Sequence, residues 1–179
     1  MWVFGYGSII WRTAFTWEAR RTGYLEGMSR RFWQGSPDHR GVPDAPGRVV
    51  TLVPEAGARC WGVLYRLGKA EARAIVQDLD VREQGGYEQR PVQVHVPARG
   101  EVVDATTYIA CEGNPHWLGP AGLDAMVSQI LRSHGPSGAN AEYLLRLDES
   151  LRALAIDDPH VAALAEAVRD VSDGLQKIS

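Results

Sequence analysis

The sequence predicts an α+β fold, with a mostly antiparallel sheet able to close into a small barrel and a helical last third. Short runs rich in β-branched and aromatic residues, bounded by glycine, proline and charged turns, fill the chain as far as residue 110. From residue 120 onward apolar side chains recur at helical spacing instead. Strands therefore come first and helices last, unlike the alternating crossover units that build a parallel sheet.

Taken in order, residues 2–4 form an apolar strand that breaks into Gly5-Tyr6-Gly7-Ser8. Residues 12–20 are mixed in character and read as irregular. Residues 24–28 and 30–34 read as strand pieces around a bulge at Gly27. Residues 36–47 hold three prolines and two glycines, the composition of a long surface loop. Residues 48–53 and 60–67 are strands, and Pro54 to Arg59 between them suggests a hairpin turn. Residues 69–79 place Ala72, Ile75, Val76 and Leu79 on one helical face. Residues 89–96 alternate, with Val92, Val94 and Val96 on one side, and residues 102–110 pair back after the turn at 98–100. Residues 111–119 form a second long loop. Three helices follow, over 120–134, over 140–154 with Asn140 as N-cap, and after Asp158-Pro159, a cap with proline at the first helical position.

At 179 residues the chain is long enough to bury a substantial core, and it reads as one domain over 1–179. Its 45% apolar and 23% charged residues are ordinary globular values. A formal net charge of −3 supplies no basic field for nucleic acid or anionic lipid. The N-terminus lacks the basic and small-residue features of a signal peptide, and no apolar run nears the roughly 18 residues of a membrane span. Cys60 and Cys111 lie far apart with no CxxC, so both read as reduced thiols in a cytoplasmic protein. Four of the six tryptophans fall within the first 33 residues, which suggests an aromatic wall beside the opening loop.

That loop is the first candidate site. Gly5 and Gly7 permit positive φ on either side of Tyr6 and let a ligand approach the main chain. Successive N–H groups in such a turn form a concave nest for a small carboxylate; the same run would also serve as a plain strand-to-turn junction. It lacks the third glycine of a dinucleotide fingerprint, the lysine of a P-loop and the order of a hydrolase elbow. Ser8 accordingly reads as a binding or turn residue, not a nucleophile. No lysine or arginine interrupts the run, so neutral amides alone would hold the anion.

Glu83 is the most interesting ionisable side chain. It follows a helix and borders Gly85-Gly86, where a carboxylate can be aimed into a pocket. Walled by aromatic rings it would serve as a general base; the alternative is a solvated glutamate paired with Arg82 or Arg90. Asp80 and Glu88 are its rivals. Arg40 and Arg48 flank the 36–47 loop and could meet a substrate carboxylate. The five histidines show no metal-binding spacing, although His39 and His116 could line a site.

The segments VFGYGSIIW, SRRFWQGSPDHRG, PGRVVTLVP, WGVLYRL, LDVREQGGY, YIA, NPHWLGP and GPSGANAEYL occur in this order from Trp2 toward Arg169. Together they resemble the ChaC-like, glutathione-specific γ-glutamylcyclotransferases, with Ile9 where that family's loop usually has leucine. The resemblance implies a small β-barrel-like sheet with packed helices and no cofactor. It implies a lyase of glutathione catabolism that cleaves glutathione to 5-oxoproline and cysteinylglycine. Its catalytic glutamate falls on Glu83, and its substrate loop on Val3, Phe4, Gly5, Tyr6, Gly7 and Ser8, with Ile9 adjoining; Tyr143 is a further pocket residue. The expected partner is glutathione, with no nucleic acid or membrane, and the expected state is a monomer or weak homodimer. A cyclotransferase for other γ-glutamyl compounds remains an alternative, as does a non-catalytic module that senses a small carboxylate. The presence of Glu83 weighs against the second, because a binder has no need of it.

Overall fold

A computed structural model of the chain describes residues 1–176. Five strands close into a barrel in the order β1-β3-β2-β4-β5: β1 (Trp2–Gly5), β2 (Ala19–Ser36), β3 (Gly47–Arg66), β4 (Tyr87–Val96) and β5 (Glu101–Ala110). The closing pair β1–β5 is parallel, with Val3 opposite Thr106, whereas β1 pairs antiparallel with β3 and β4 with both β2 and β5. Closure removes the exposed sheet edges that would otherwise invite association. The buried side chains of the barrel strands include apolar ones on both faces of the sheet, among them Val3, Phe4, Val63, Leu64, Val94 and Ala110. Two buried hydroxyls supplement the ladder: Thr107 donates to Phe4 O at 2.8 Å and Thr51 to Ala110 O at 2.8 Å.

The hairpin expected between residues 48–53 and 60–67 is instead one continuous strand. Ser29 donates to Glu55, and Arg59 to Glu26 at 3.3 Å, contacts that run in opposite order along β2 and β3. The pairing partner of β3 is therefore β2, not its own second half. Gly57 takes φ +77° within the strand, so the apparent turn sequence produces a local irregularity in an extended chain and no reversal. Helix α1 (Ala72–Arg82) begins and ends about three residues later than its periodicity suggests.

The chain forms two compact units, one of Met1–Arg30 with Thr51–Trp117, the other of Arg31–Val50 with the chain from Leu118 onward. In the second unit α2 (Leu123–Arg132), α3 (Asn140–Ala153) and α4 (Pro159–Gln176) bury Val127, Ile130, Leu144, Leu147, Leu164 and Val168, as the helical spacing anticipates. A two-residue pair, β6 (His134–Gly135) with β7 (Gly138–Ala139), joins α2 to α3. Asp158 caps α4 by accepting from the Val161 N–H at 3.1 Å, so that cap is as expected. Asp148, 3% exposed, joins α3 to α4 by accepting from Arg152 at 3.0 Å and Arg169 at 2.6 Å.

Asn140 does not cap α3; the N-cap position is Ala139. Its side chain is fully buried and satisfies both main-chain groups of Arg48, accepting from the N–H at 2.7 Å and donating to the C=O at 2.7 Å. A carboxamide is required because only it offers a donor and an acceptor side by side. Asn140→Ala should leave both groups unpaired and lower the unfolding free energy by about 2–4 kcal/mol. Urea denaturation followed by circular dichroism measures this, and a loss below about 0.5 kcal/mol would contradict the role.

Candidate functional site

Within the first unit, the chain reverses sharply after α1. The Glu83 N–H donates to Leu79 O at 2.9 Å, which makes Glu83 the C-cap of the helix, at φ −93° and ψ 12°. Gly86, at φ +99°, then turns the chain into β4, with the Gly86 N–H on Gln84 O at 2.8 Å and the Tyr87 N–H on Glu83 O at 3.3 Å. Only glycine adopts that φ without strain. The result is a carboxylate held by backbone on both sides, its side chain 18% exposed. Tyr108 lies close by and donates its phenolic proton to Asp80 at 2.6 Å. Burial pushes that phenol up, well beyond its ordinary range, and the hydrogen bond and charge of Asp80 and the negative charge of Glu83 add to the effect. Asp80 is thus engaged by Tyr108 and Glu88 by Arg90, while Glu83 lies beside Arg82, its Oε1 3.5 Å from Arg82 Nε.

The opening loop differs from expectation in its backbone. Gly5 belongs to β1 opposite Val63, and Gly7 has φ −121° and ψ −135°, so neither takes positive φ. Gly5 is needed for space instead, since a Cβ there would meet Ile9 Cγ2 at 2.8 Å. Residues Ser8–Ile10 form a single 3-10 turn, closed by Ile10 N–H on Gly7 O at 3.0 Å. As in any helical start, the N–H groups ahead of the first closed turn, here those of Gly7, Ser8 and Ile9, have no partner within it. The side chains of Val3, Phe4, Tyr6 and Ile9 are buried, so this stretch can present only its main chain and Ser8 to a ligand.

Two arginines hold the loop in place. Arg30, 1% exposed, donates from Nε to Tyr6 O at 2.7 Å and from Nη2 to Trp61 O. In a trans peptide the next N–H is anti to that carbonyl, so Arg30 turns the Gly7 N–H the opposite way. The Tyr6 phenol donates to Tyr108 O at 2.6 Å and fixes the other side of the same residue. Arg82 donates from Nη2 to Ser8 Oγ at 2.5 Å, and its Nε lies 3.5 Å from Glu83 Oε1. The expectation of a loop served by neutral amides alone is therefore corrected: a cation reaches it from 74 residues away. In the sequence alone, Arg82 stands out only as a partner for Glu83, and Arg30 as one residue of a strand. The available signal for Arg30 was its alternation with Phe32 and Gln34, an arginine on a buried face of a strand.

Other candidates have settled partners. In the second unit Arg40 donates to Ala139 O and to Glu142, both at 3.1 Å, and lies 5.7 Å from the Tyr143 ring centre. Tyr143 is 6% exposed and meets Phe32 edge-on at 5.9 Å, as part of that unit's core. Arg48 donates to Phe32 O, Gly119 O and Gln129 Oε1, and burial lowers its guanidinium pKa. His39 is exposed beside Asp38 and Ser137. The early tryptophans are dispersed: Trp2 lies beneath Arg21, Trp17 is 46% exposed against Tyr65, and Trp33 falls in the second unit. Among the described residues no group of three or more His, Cys, Asp or Glu is arranged to hold a metal ion, and no helix is long and apolar enough to cross a membrane.

A family model described as ChaC-like protein matches residues 1–171. The chain belongs to the ChaC-like family. This ChaC-like chain is 41% identical to glutathione-specific gamma-glutamylcyclotransferase 1 of Danio rerio, over 96% of its own length and 92% of the relative's. It is also 41% identical to the Homo sapiens protein of the same name, over 94% and 78% of the two lengths. Its fold matches the crystal structure of a yeast gamma-glutamylcyclotransferase specific to glutathione, with a TM-score of 0.89, 31% identity, and 95% and 96% of the two chains covered. The α+β barrel with C-terminal helices is thus the gamma-glutamylcyclotransferase fold.

Replacing Arg30 by methionine keeps much of its bulk but strips the Tyr6 and Trp61 carbonyls of their donor. Arg30→Met should lower the unfolding free energy by about 3 kcal/mol, the scale of two unsatisfied buried acceptors. Thermal or urea unfolding of the variant gives the answer, and wild-type stability would show that the carbonyls find other partners.

Proposed function

We propose that the chain is a glutathione-specific γ-glutamylcyclotransferase, a lyase that releases 5-oxoproline and cysteinylglycine from glutathione. One domain over residues 1–179 carries the activity in this reading, in the cytoplasm and without a cofactor. The observation that carries it is the Arg82 bridge, which brings a backbone-held carboxylate, Glu83, beside the N–H turn at Gly7 and Ser8. The names of its relatives supply the substrate.

The reaction is intramolecular and needs no protein nucleophile. The α-nitrogen of the γ-glutamyl group attacks its own γ-carbonyl carbon, a five-membered lactam closes, and the bond from that carbon to the cysteinyl nitrogen breaks. Two protons leave the α-nitrogen as an ammonium becomes a lactam N–H, and two reach the cysteinyl nitrogen as it departs as an ammonium. Glu83 accepts from the first nitrogen and delivers to the second, the work of a positioned general acid and base. The N–H groups of Gly7 and Ser8 hold the α-carboxylate and keep the γ-glutamyl chain folded, a proximity effect.

Glu83→Gln keeps size and polarity but cannot accept a proton. Release of 5-oxoproline should fall by roughly 10²-fold or more with the fold intact by circular dichroism; near-normal release from that variant would refute the assignment. Gly7→Val, which adds a branched side chain over the turn, should weaken binding strongly, whereas Ser8→Ala, which keeps the N–H, should cost far less. Comparison of kcat/KM for glutathione, γ-glutamylalanine and γ-glutamyl-ε-lysine tests the substrate; a better rate with either simple compound would remove the glutathione label.

A further inference from the structure

We infer that Arg82 is a substrate-binding residue that exchanges Glu83 for the α-carboxylate of the γ-glutamyl group. This inference rests on the reading of the site as a γ-glutamylcyclotransferase centre and assigns it a charged ligand beyond the backbone amides.

The guanidinium stands at the junction of the two halves of the site. Its Nη2 donates to Ser8 Oγ at 2.5 Å, while its Nε is 3.5 Å from Glu83 Oε1, longer than a good charge-assisted hydrogen bond. The side chain is 25% exposed, so solvent, and hence a small ligand, reaches it. A guanidinium carries five N–H donors in a planar fork, and one neutral hydroxyl with one distant carboxylate leaves most of that capacity for a further acceptor. An anion on the Ser8 N–H would lie within one side chain's length of the Ser8 hydroxyl, where Nη2 already sits. Two carboxylates, one from the protein and one from the substrate, thus compete for a single cation. The protein's own carboxylate holds it only at 3.5 Å.

The exchange has a chemical consequence. With no substrate, Arg82 shields Glu83. A γ-glutamyl carboxylate on the turn draws the fork toward Ser8 and away from Glu83, so that the substrate's α-ammonium no longer meets a cation beside that carboxylate. The α-carboxylate and α-ammonium are attached to the same carbon, so a carboxylate on Ser8 and Arg82 sets the ammonium toward Glu83. A cation that remained on Glu83 would oppose the approach of that ammonium. The same arrangement selects substrates: a compound without the α-carboxylate leaves Arg82 on Glu83.

The test uses two substrates and two products. Glutathione yields 5-oxoproline; its analogue γ-aminobutyryl-cysteinylglycine lacks the α-carboxylate and cyclises to 2-pyrrolidinone. For Arg82→Gln, KM for glutathione should rise roughly 10- to 100-fold, with partial recovery in Arg82→Lys, while kcat/KM for the analogue should not fall and should rise, because the cation that opposed its ammonium at Glu83 is gone. Calorimetric titration should show 5-oxoproline binding weakened by a similar factor and 2-pyrrolidinone binding unchanged. An equal loss on both substrates would mean that Arg82 acts only by shaping the turn, and unchanged 5-oxoproline affinity in a variant of an active enzyme would likewise overturn the inference. If the wild-type protein neither releases 5-oxoproline from glutathione nor binds it, the cyclotransferase reading fails, and this inference with it.

Discussion

The opening loop depends on a buried guanidinium. Arg30, on β2, is 1% exposed, and its donors lie on the carbonyls of Tyr6 and Trp61. A charge taken out of water is costly unless its hydrogen bonds are made, so this side chain permits few arrangements of the loop. Through the Tyr6–Gly7 peptide it sets the direction of the N–H group on which the proposed anion site rests. The close contact between Gly5 and Ile9 and the seating of the Tyr6 phenol on Tyr108 act on the same few residues. The loop is thus rigid without any regular element longer than a single 3-10 turn.

Rigidity matters because the proposed chemistry requires little else. A γ-glutamyl chain cyclises onto itself, so the protein must hold the folded conformer and move protons, and neither task needs a covalent intermediate. The two parts that do this meet through Arg82, which lies 74 residues from Ser8 in sequence. One is a strand end and the other a helix end, each stopped by local geometry: Gly5 by its closeness to Ile9, α1 by the positive φ of Gly86. A barrel that closes through β1 and β5 brings β1 and Tyr108 together, and Tyr108 in turn holds α1 through Asp80.

Much of the fold was legible because its signals are periodic. The apolar faces of the helices, the alternation of β4 and the Asp158-Pro159 cap need only a few neighbouring residues to be read, and each is present. The errors fall where a local signal had two uses. Pro54 to Arg59 looks like a turn, but β3 pairs with β2 and continues through it. Asn140 looks like a helix cap, but its carboxamide serves the main chain of Arg48, 92 residues away. In both cases a long-range hydrogen-bonding partner outweighed local propensity.

The sequence by itself determined the strand and helix order, the α+β class and the glycine-bordered carboxylate at Glu83. Those properties follow from side-chain size, φ preferences and hydrophobic spacing, all of which act over a few residues. Only the tertiary structure decided that Gly5 is there for space and not for positive φ, that Arg30 faces inward onto Tyr6, and that Arg82 joins Ser8 to Glu83. A guanidinium side chain is long and can satisfy its donors in many ways. Which acceptors it finds depends on strand order and barrel closure, which no local stretch of sequence encodes.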